Sequence, residues 1–457
     1  MDKIVDSAPS VDDTHYISHA ALVLGTLTRK RFSQLMSHAR RRLLFIALFV
    51  LALVLTIPAV LVLKSLLTKD ETTGKWVHIK RYAQEQPDAD PNEFVKLKDN
   101  QFVLKGERFF PVLLNYVPEF RFVEDQLFLG PVMAYEHVDR FETRTLDSAR
   151  LQLAGHFQLI KSLGFNSLRI PLDRVAQDDT GFYYPASGHK IYLEKDGESL
   201  LNAIDGLLKE AEKVGLYVMP LIQTPTRSND INAFTEKLLR RFNDRPFVFA
   251  YDFLNEPLYD DDSGAESKAD VAHITRKWRV MMDRLAPHQL LTIGLSEPIE
   301  VLVWDPAVMH VDFLAFHTYH PLRVPNEIYW YAKHSGKPWM IGETGLPADG
   351  DSVSYEEQRQ FMVESFDRTV DCGGLGYGWW EFQDVPLSYF EGAYTGILNR
   401  EGTLACPNGY VMQNTGLKPV AMQAAQLRLE DVPERGCPCW TNYQNQLGYQ
   451  NYRISGV

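Results

Sequence analysis

Apolar residues in this chain gather into short blocks instead of alternating with polar ones. Phe109–Tyr116 reads FFPVLLNY, Asn166–Leu172 reads NSLRIPL, Leu216–Gln223 reads LYVMPLIQ and Phe247–Asn255 reads FVFAYDFLN. The rhythm continues through Leu290–Leu295 (LLTIGL), Phe313–His317 (FLAFH), Pro338–Glu343 (PWMIGE) and Gly374–Trp380 (GLGYGWW). Blocks that stay apolar on both sides are what parallel strands need when helices cover both faces of their sheet. Helical spacing fills the intervals. Leu151–Leu163 runs into Gly164 and Leu200–Val214 into Gly215, and glycine is the usual residue just past a helix end. Tyr355–Thr369 precedes the eighth block and Pro419–Leu429 closes the set. Repeated strand–helix units of this kind predict a (β/α)8 TIM barrel over residues 101–430. An open doubly wound sheet would need a glycine-rich phosphate turn between strand and helix. The nearest match, GGLGYG at Gly373–Gly378, follows a helix and lies within a strand block.

A different pattern precedes the barrel. Leu43–Leu63 reads LLFIALFVLALVLTIPAVLVL, without a single charge. At 1.5 Å per residue such a run crosses a hydrocarbon core of about 30 Å, and Pro58 is tolerated in a membrane helix. Arg40, Arg41 and Arg42 stand immediately before it, with Arg29, Lys30 and Arg31 further back. The positive-inside rule then places residues 1–42 in the cytoplasm as an arm and the rest outside, in the periplasm or cell exterior. The apolar run is longer than a signal-peptide core, so an uncleaved anchor over residues 43–64 is expected. Within the arm, residues 15–42 can form a helix with Leu22, Leu27, Phe32 and Leu35 as apolar contacts. Residues 65–100, with Pro87 and Pro91 among many charges, read as a linker or stalk. Residues 431–457 read as a C-terminal tail.

Charge sharpens this division. The whole chain carries a formal net charge of -12, but the first 42 residues are basic, at +3, which leaves the remainder at -15. An acidic domain of this kind lacks the basic footprint of a nucleic-acid binder. The 4 cysteines, Cys372, Cys406, Cys437 and Cys439, all fall in the C-terminal quarter, outside by this topology. One or two disulfides pinning the tail are expected there. Their spacing is not that of a zinc site.

In a (β/α)8 barrel the active site lies at the C-terminal ends of the strands. The block ends offer Asn115 and Tyr116, then Arg169 with Asp173 beyond, then Gln223. They continue with Asn255 and Glu256, His317 and Tyr319, Glu343, and Trp380. Glu256 and Glu343 stand out because each closes an apolar strand. Two facing carboxylates are the minimal equipment for cutting a glycosidic bond, one protonated to help the leaving oxygen and one ionised to attack or to activate water. Arg169 can keep one carboxylate ionised, Tyr319 can donate to it, Asn255 can grip a sugar hydroxyl, and Trp380 can offer a flat face to a sugar ring. Of Trp379 and Trp380, one faces the core, because neighbouring strand residues point opposite ways. His317 and His320 are spaced as a weak metal pair, and Asp260, Asp261 and Asp262 as a solvated acidic loop.

NEP at Asn255–Pro257, HTYHP at His317–Pro321, GETG at Gly342–Gly345 and WWEFQD at Trp379–Asp384 resemble the retaining glycoside hydrolases of clan A. Within the clan they look most like glycoside hydrolase family 5, the cellulase and mannanase type. LGFNSLRIPL at Leu163–Leu172 is similar to that family's second-strand segment with its arginine. The resemblance covers residues 100–430 and implies Glu256 as acid/base and Glu343 as nucleophile. It implies Arg169, Asn255, His317, Tyr319 and Trp380 as substrate-site residues. Many family members carry a histidine at the end of the third strand, where this chain has Gln223 or Thr224. The implied activity is a membrane-anchored endo-β-glycosidase acting on a β-linked polysaccharide by double displacement, with no metal or organic cofactor. A transglycosylase at the same site is one alternative. A glycan-binding scaffold in a polysaccharide synthase or export complex is another, and the intact pair of glutamates argues against it.

Overall fold

The computed structural model describes residues 67–69, 76–78, 88–131, 145–172, 176–178, 181–184, 189–222, 229–257, 267–319, 324–384, 394–432 and 437. The chain divides into two compact units, residues 1–82 and 83–457. In the first, Leu67–Lys69 pairs antiparallel with Trp76–His78. No described helix is long and apolar enough to cross a membrane; the run Leu43–Leu63 and the arm before it lie outside the described residues.

The second unit is built on a closed barrel of parallel strands, as the apolar blocks predict. The strands are β1 (Val112–Asn115), β2 (Ser167–Pro171), β3 (Tyr217–Leu221) and β4 (Ala250–Asn255). They continue as β5 (Leu290–Ser296), β6 (Leu314–Thr318), β7 (Trp339–Thr344) and β8 (Tyr377–Trp379). Closure runs through β8 onto β1, with Tyr377 opposite Val112 and Trp379 opposite Leu114. On the other side of β1, Asn115 pairs with Arg169 of β2. Every residue of β2, β5 and β7 is buried, which is why no polar alternation shows in their sequence.

The surrounding helices are α1 (Leu146–Ser162), α2 (Leu193–Lys213), α3 (Asn229–Phe242) and α4 (Lys268–Leu285). After these come α5 (Glu297–Trp304), α6 (Val324–His334), α7 (Tyr355–Asp371) and α8 (Pro419–Ala424). Their starts are locally encoded. Thr145 caps α1 and Ser267 caps α4, while Ser354 and Glu357 form a reciprocal capping box on α7. Gly164 ends α1 with φ of +94°, and a Cβ there would come within 2.6 Å of the Ala425 Cα. The stop predicted from sequence is therefore also the place where the segment after α8 packs closest. That helix is shorter than the sequence suggests: it ends at Ala424, and i−3 hydrogen bonds from Gln426 and Leu427 tighten the chain away from α-helix.

The stalk expected over residues 65–100 is corrected at its C-terminal end. Lys96–Lys98, Gln101–Leu104 and Glu107–Arg108 form an antiparallel sheet just ahead of β1. Phe94, Val95 and Phe102 are buried. Phe102 meets Phe313 edge-on, with ring centroids 5.0 Å apart, and also contacts Phe249. It thereby joins the barrel-interior cluster with Leu113, Met219 and Met340. This sheet closes the end of the barrel where the strands begin. Its few apolar residues sit between charges, so its role becomes visible only once the barrel presents an open end.

Two strand–helix connections carry their own sheets. After β1 comes the hairpin Pro118–Val123/Gln126–Pro131. After β2 comes a three-stranded sheet of Ala176–Asp178, Gly181–Tyr184 and His189–Tyr192. Phe120 of the hairpin packs over Leu172 and Ile222, at the ends of β2 and β3, with Phe234 of α3. The tail is pinned as expected: Cys372, at the end of α7, is disulfide-bonded to Cys437. Cys406 is a buried free thiol, and Cys439 lies outside the described residues.

Candidate active site

The strand ends converge on Arg169. Fully buried on β2, its guanidinium is shared among four residues of three other strands. Nε donates to Asp252 Oδ2 at 2.9 Å and Nη2 to Asn255 Oδ1 at 2.8 Å, both on β4. Nη1 donates to Asn115 Oδ1 at 3.1 Å and to Glu343 Oε1 of β7. Asn115 in turn donates to the carbonyls of Gly342 and Trp379, at 3.0 and 3.1 Å, which locks β1 to β7 and β8. Burial alone would pull the Arg169 pKa down, but Asp252 and Glu343 outweigh it and hold the pKa above its ordinary value. The group is a permanent cation at the centre of the mouth.

Glu343 is almost fully buried. Its Oε1 accepts from Arg169 and its Oε2 from the Tyr319 hydroxyl. Burial pushes its carboxyl up, but His317, Arg169 and the Tyr319 hydrogen bond together bring it below the usual glutamate value. Glu343 is thus held as a carboxylate. Burial and the two glutamates push the Tyr319 phenol well up, so it remains a donor.

Glu256 reaches the same point from β4. His317 of β6 bridges the two acids. Its Nδ1 lies 2.7 Å from Glu256 Oε1, as an N–H donating to the carboxyl, and 3.6 Å from Glu343 Oε1. Burial lowers the imidazole pKa, but the two glutamates raise it to a net value above the ordinary one. One oxygen of each glutamate and a ring nitrogen of His317 all lie within 4.8 Å of one another. Glu256 is the more open acid, with its side chain 20% exposed against 5% for Glu343. A metal ion between these groups would have to displace Arg169 and Tyr319 from Glu343 and the His317 proton from Glu256. The donors already present satisfy the set without an ion.

Backbone irregularity makes this convergence possible. Strict alternation would send Asn255 and Glu256 to opposite faces. The register of β4 against β5 shifts between Asp252 and Asn255, and Glu256 adopts a left-handed φ of 41°. Both side chains then reach the mouth. Such a conformation costs a non-glycine residue about 1–3 kcal/mol and persists only where its surroundings impose it. A second register shift, between Phe316 and His317, sets His317 directly opposite Glu343.

Of the residues predicted from sequence, Arg169, Asn255, Glu256, His317, Tyr319 and Glu343 form one contact network. Trp380 lies one residue beyond β8, and its backbone N–H donates to the Thr344 carbonyl at 2.8 Å, next to Glu343. Trp379 is the core member of the pair, fully buried. Asp173, Gln223, Thr224, Asp260, Asp261, Asp262 and His320 lie outside the described residues. Asp252 was missed. A lone acid inside the apolar run FVFAYDFLN was the signal, since a buried carboxylate needs a cation. Asp252 supplies that pairing to Arg169, and its Oδ1 accepts from the Gly294 N–H at 3.0 Å.

Two substitutions test this geometry. A Cβ on Gly294 would stand 2.7 Å from His317 Cε1 and 3.3 Å from Arg169 Nη2. Gly294→Ala must therefore shift the imidazole that bridges the acids. Displacements of this size cost about 10²-fold in kcat, to be read from initial rates beside an unchanged fold by circular dichroism. Tyr319→Phe removes a hydrogen bond that favours the Glu343 carboxylate. The Glu343 pKa then rises, and the acid limb of kcat/KM, below which Glu343 is protonated, moves to higher pH. A pH–rate profile with an unshifted acid limb would refute the role given to Tyr319.

Neither a family model nor a curated protein matches the chain. Solved structures do. The chain is similar to the exo-β-1,4-mannosidase Op5Man5 from Opitutaceae bacterium strain TAV5, with 18% identity and a TM-score of 0.52 over 73% of this chain. It spans 62% of the length of that mannosidase. An endo-1,4-β-mannanase from Rhizomucor miehei matches with 16% identity and a TM-score of 0.46, over 66% of this chain and 93% of that one. At these identities the likeness to the mannosidase is one of fold, and the fold it shares is the barrel described above.

Proposed function

We propose that the chain is a retaining glycoside hydrolase that cuts a β-linked polysaccharide by double displacement. The observation that carries this reading is the pair of glutamates within 4.8 Å at the strand ends, one of them held as a carboxylate by Arg169 and Tyr319. Retaining enzymes bring their carboxyl groups to about 5–5.5 Å, whereas inverting enzymes leave about 6.5–9.5 Å for a water. Glu343 attacks the anomeric carbon as the bond to the leaving sugar breaks. The leaving oxygen takes a proton from Glu256, and a glycosyl ester remains on Glu343. Water then gives its proton to Glu256 and attacks the same carbon, which frees the sugar with its configuration retained and restores the Glu343 carboxylate. His317 orients Glu256 through its Nδ1–H. Asn255, held by Arg169, and Trp380 flank the sugar site. The four-segment resemblance to glycoside hydrolase family 5 and the barrel shared with the mannosidase support the same class.

The placement we propose is a single-pass membrane protein. The run at residues 43–63 is its anchor, residues 1–42 are cytoplasmic, and the barrel faces the periplasm or cell exterior. The Cys372–Cys437 disulfide supports an oxidising compartment. A tethered enzyme of this kind would act on polymer being made or exported at that membrane.

The test is digestion of β-glucans, β-mannans, xylans and bacterial exopolysaccharides by the full chain in detergent, with the first product's anomeric configuration read by proton NMR. The expected result is release from at least one polymer with the β-anomer appearing first. An α-anomer appearing first would overturn double displacement, and no release from any polymer would overturn the hydrolase. A ladder of oligosaccharides marks endo action and a single sugar exo action.

A further inference from the structure

A buried hydroxyl at the end of β5 caps nothing. Ser296 is the last residue of β5 and the N-cap of α5, a position where a serine side chain ordinarily accepts from a backbone N–H of the first turn. Here it makes no capping bond. Instead the Glu300 carboxylate, one turn on, accepts from the Ser296 backbone N–H at 2.5 Å. Ser296 is only 6% exposed, and its Oγ has no hydrogen-bond partner among the described residues. A buried hydroxyl left unpaired costs stability that an alanine in its place would not. The pattern of β5 aims this hydroxyl at the site. A Cβ on Gly294 would meet His317 and Arg169, so Gly294 faces the barrel interior, while Leu295 packs into the larger core cluster among the helices. Alternation returns Ser296 to the interior face, one pleat nearer the mouth. Its register partner on β6 is His317. On the other side, the Glu256 N–H donates to the Gly294 carbonyl at 3.0 Å, so the acid from β4 stands against the same stretch. Ser296 therefore closes the strand that lies between those of Glu256 and His317.

We infer that Ser296 Oγ binds a hydroxyl of the sugar on the leaving-group side of the bond that is cut. This rests on the double displacement proposed above, in which Glu256 protonates the leaving oxygen. The leaving sugar must bring that oxygen to Glu256, and Ser296 stands on the next strand at the same rim. A serine hydroxyl can both donate to and accept from a sugar hydroxyl. A site with an unpaired buried polar group discriminates in favour of a ligand that pairs it, because a ligand lacking the matching group leaves it stranded. The leaving group that fits is therefore a polyhydroxylated one, a sugar of a glycan chain, in preference to an apolar aglycone. By the same contact Ser296 would hold a sugar acceptor if one replaced water in the second step.

The experiment compares the full chain in detergent with its Ser296→Ala variant on two substrates. One is an oligosaccharide prepared from the polymer that the parent chain cuts in the digestion above. The other is the 4-nitrophenyl β-glycoside of the same sugar, whose leaving phenol carries no further hydroxyl. The ratio of kcat/KM on the oligosaccharide to kcat/KM on the aryl glycoside should fall by about 3–10-fold in Ser296→Ala, the worth of one neutral hydrogen bond. Its thermal midpoint should rise, since the unpaired hydroxyl is gone from the free enzyme. Ser296→Cys, close in size but a weak hydrogen-bonding group, should lower the ratio as well, which separates the lost bond from lost volume. An unchanged ratio, with both rates reduced alike or neither reduced, overturns the inference and leaves the hydrolase standing. A lowered midpoint in Ser296→Ala would make the hydroxyl part of the fold and overturn it too. A parent chain that cuts none of the polymers overturns the hydrolase and this inference together.

Discussion

Glu343→Gln should turn over its polymer on the order of 10⁴-fold more slowly than the parent chain, a loss of about 5.5 kcal/mol of transition-state stabilisation. The amide has nearly the shape of the carboxylate and can still accept from Arg169, so the fold and polymer binding survive. What it lacks is the negative charge that Arg169, Tyr319 and His317 are arranged to hold. Without that charge no glycosyl ester forms, and every later step is cut off. Glu256→Ala should behave differently. General acid catalysis is worth about 10²–10⁴-fold, and most of it is needed only when the leaving group is a poor one. An aryl β-glycoside with an acidic phenol leaves unaided, so Glu256→Ala should retain most of its glycosylation rate there while losing it on polymer. Added azide should then be captured as a β-glycosyl azide. Equal losses for both variants on both substrates would remove the division of labour between the two acids.

The second large effect concerns stability. Lys418, fully buried just before α8, donates to Asp384 Oδ1 at 2.7 Å, to the Tyr394 carbonyl at 2.8 Å and to the Ala348 carbonyl at 3.1 Å. Its ammonium also lies 5.2 Å from the centre of the Tyr355 ring. One side chain thereby ties the connection after β7 to the connection after β8, which carries Trp380. Lys418→Met should cost about 3–5 kcal/mol, because it leaves the Asp384 carboxylate buried without its cation. The double variant Lys418→Met, Asp384→Leu should recover much of that loss, since an apolar pair of similar volume has no charge to desolvate.

The pH dependence has a definite sign. Burial already pushes the Asp384 carboxyl up to about 6 from its ordinary 3.8, against the pull of Lys418. Removing Lys418 raises it further. A folded pKa above the unfolded one means that stability falls as pH rises through that interval. The single variant should therefore lose least in acid, where Asp384 is protonated in both states, and most above pH 6. Urea midpoints measured on both sides of that pH decide the matter. A deficit that does not change with pH would mean that the loss comes from packing and not from the stranded charge.

Much of the site was legible because the signal was local. An apolar block that ends in a polar side chain marks a strand end in a barrel, and strand ends share one face. Glu256, Glu343 and His317 follow from that rule alone, whereas Arg169 sits in the middle of its strand and stood out as the one charge in an apolar block and through the likeness of LGFNSLRIPL to a family segment. Asp252 did not, since its partner Arg169 lies 83 residues away and nothing nearby announces the pairing. The stalk reading failed at Phe94 and Val95 for a related reason. Scattered among charges they look like linker residues, and they are core residues only because the barrel has an open end to cover.

The sequence by itself determined the eight strand blocks, the barrel class, the helix stops at Gly164 and Gly215, and the polar residues at most strand ends. All of these depend on periodicity and on neighbours within a few positions. Only the tertiary structure decided how those residues meet. The shift in β4 register and the left-handed turn at Glu256 bring Asn255 and Glu256 to one side, against simple alternation. The shift beside His317 sets it opposite Glu343. The Lys418–Asp384 pair and the N-terminal sheet likewise join segments far apart in the chain. Register and closure are set by the sum of many long-range contacts, and no short window of sequence contains that sum.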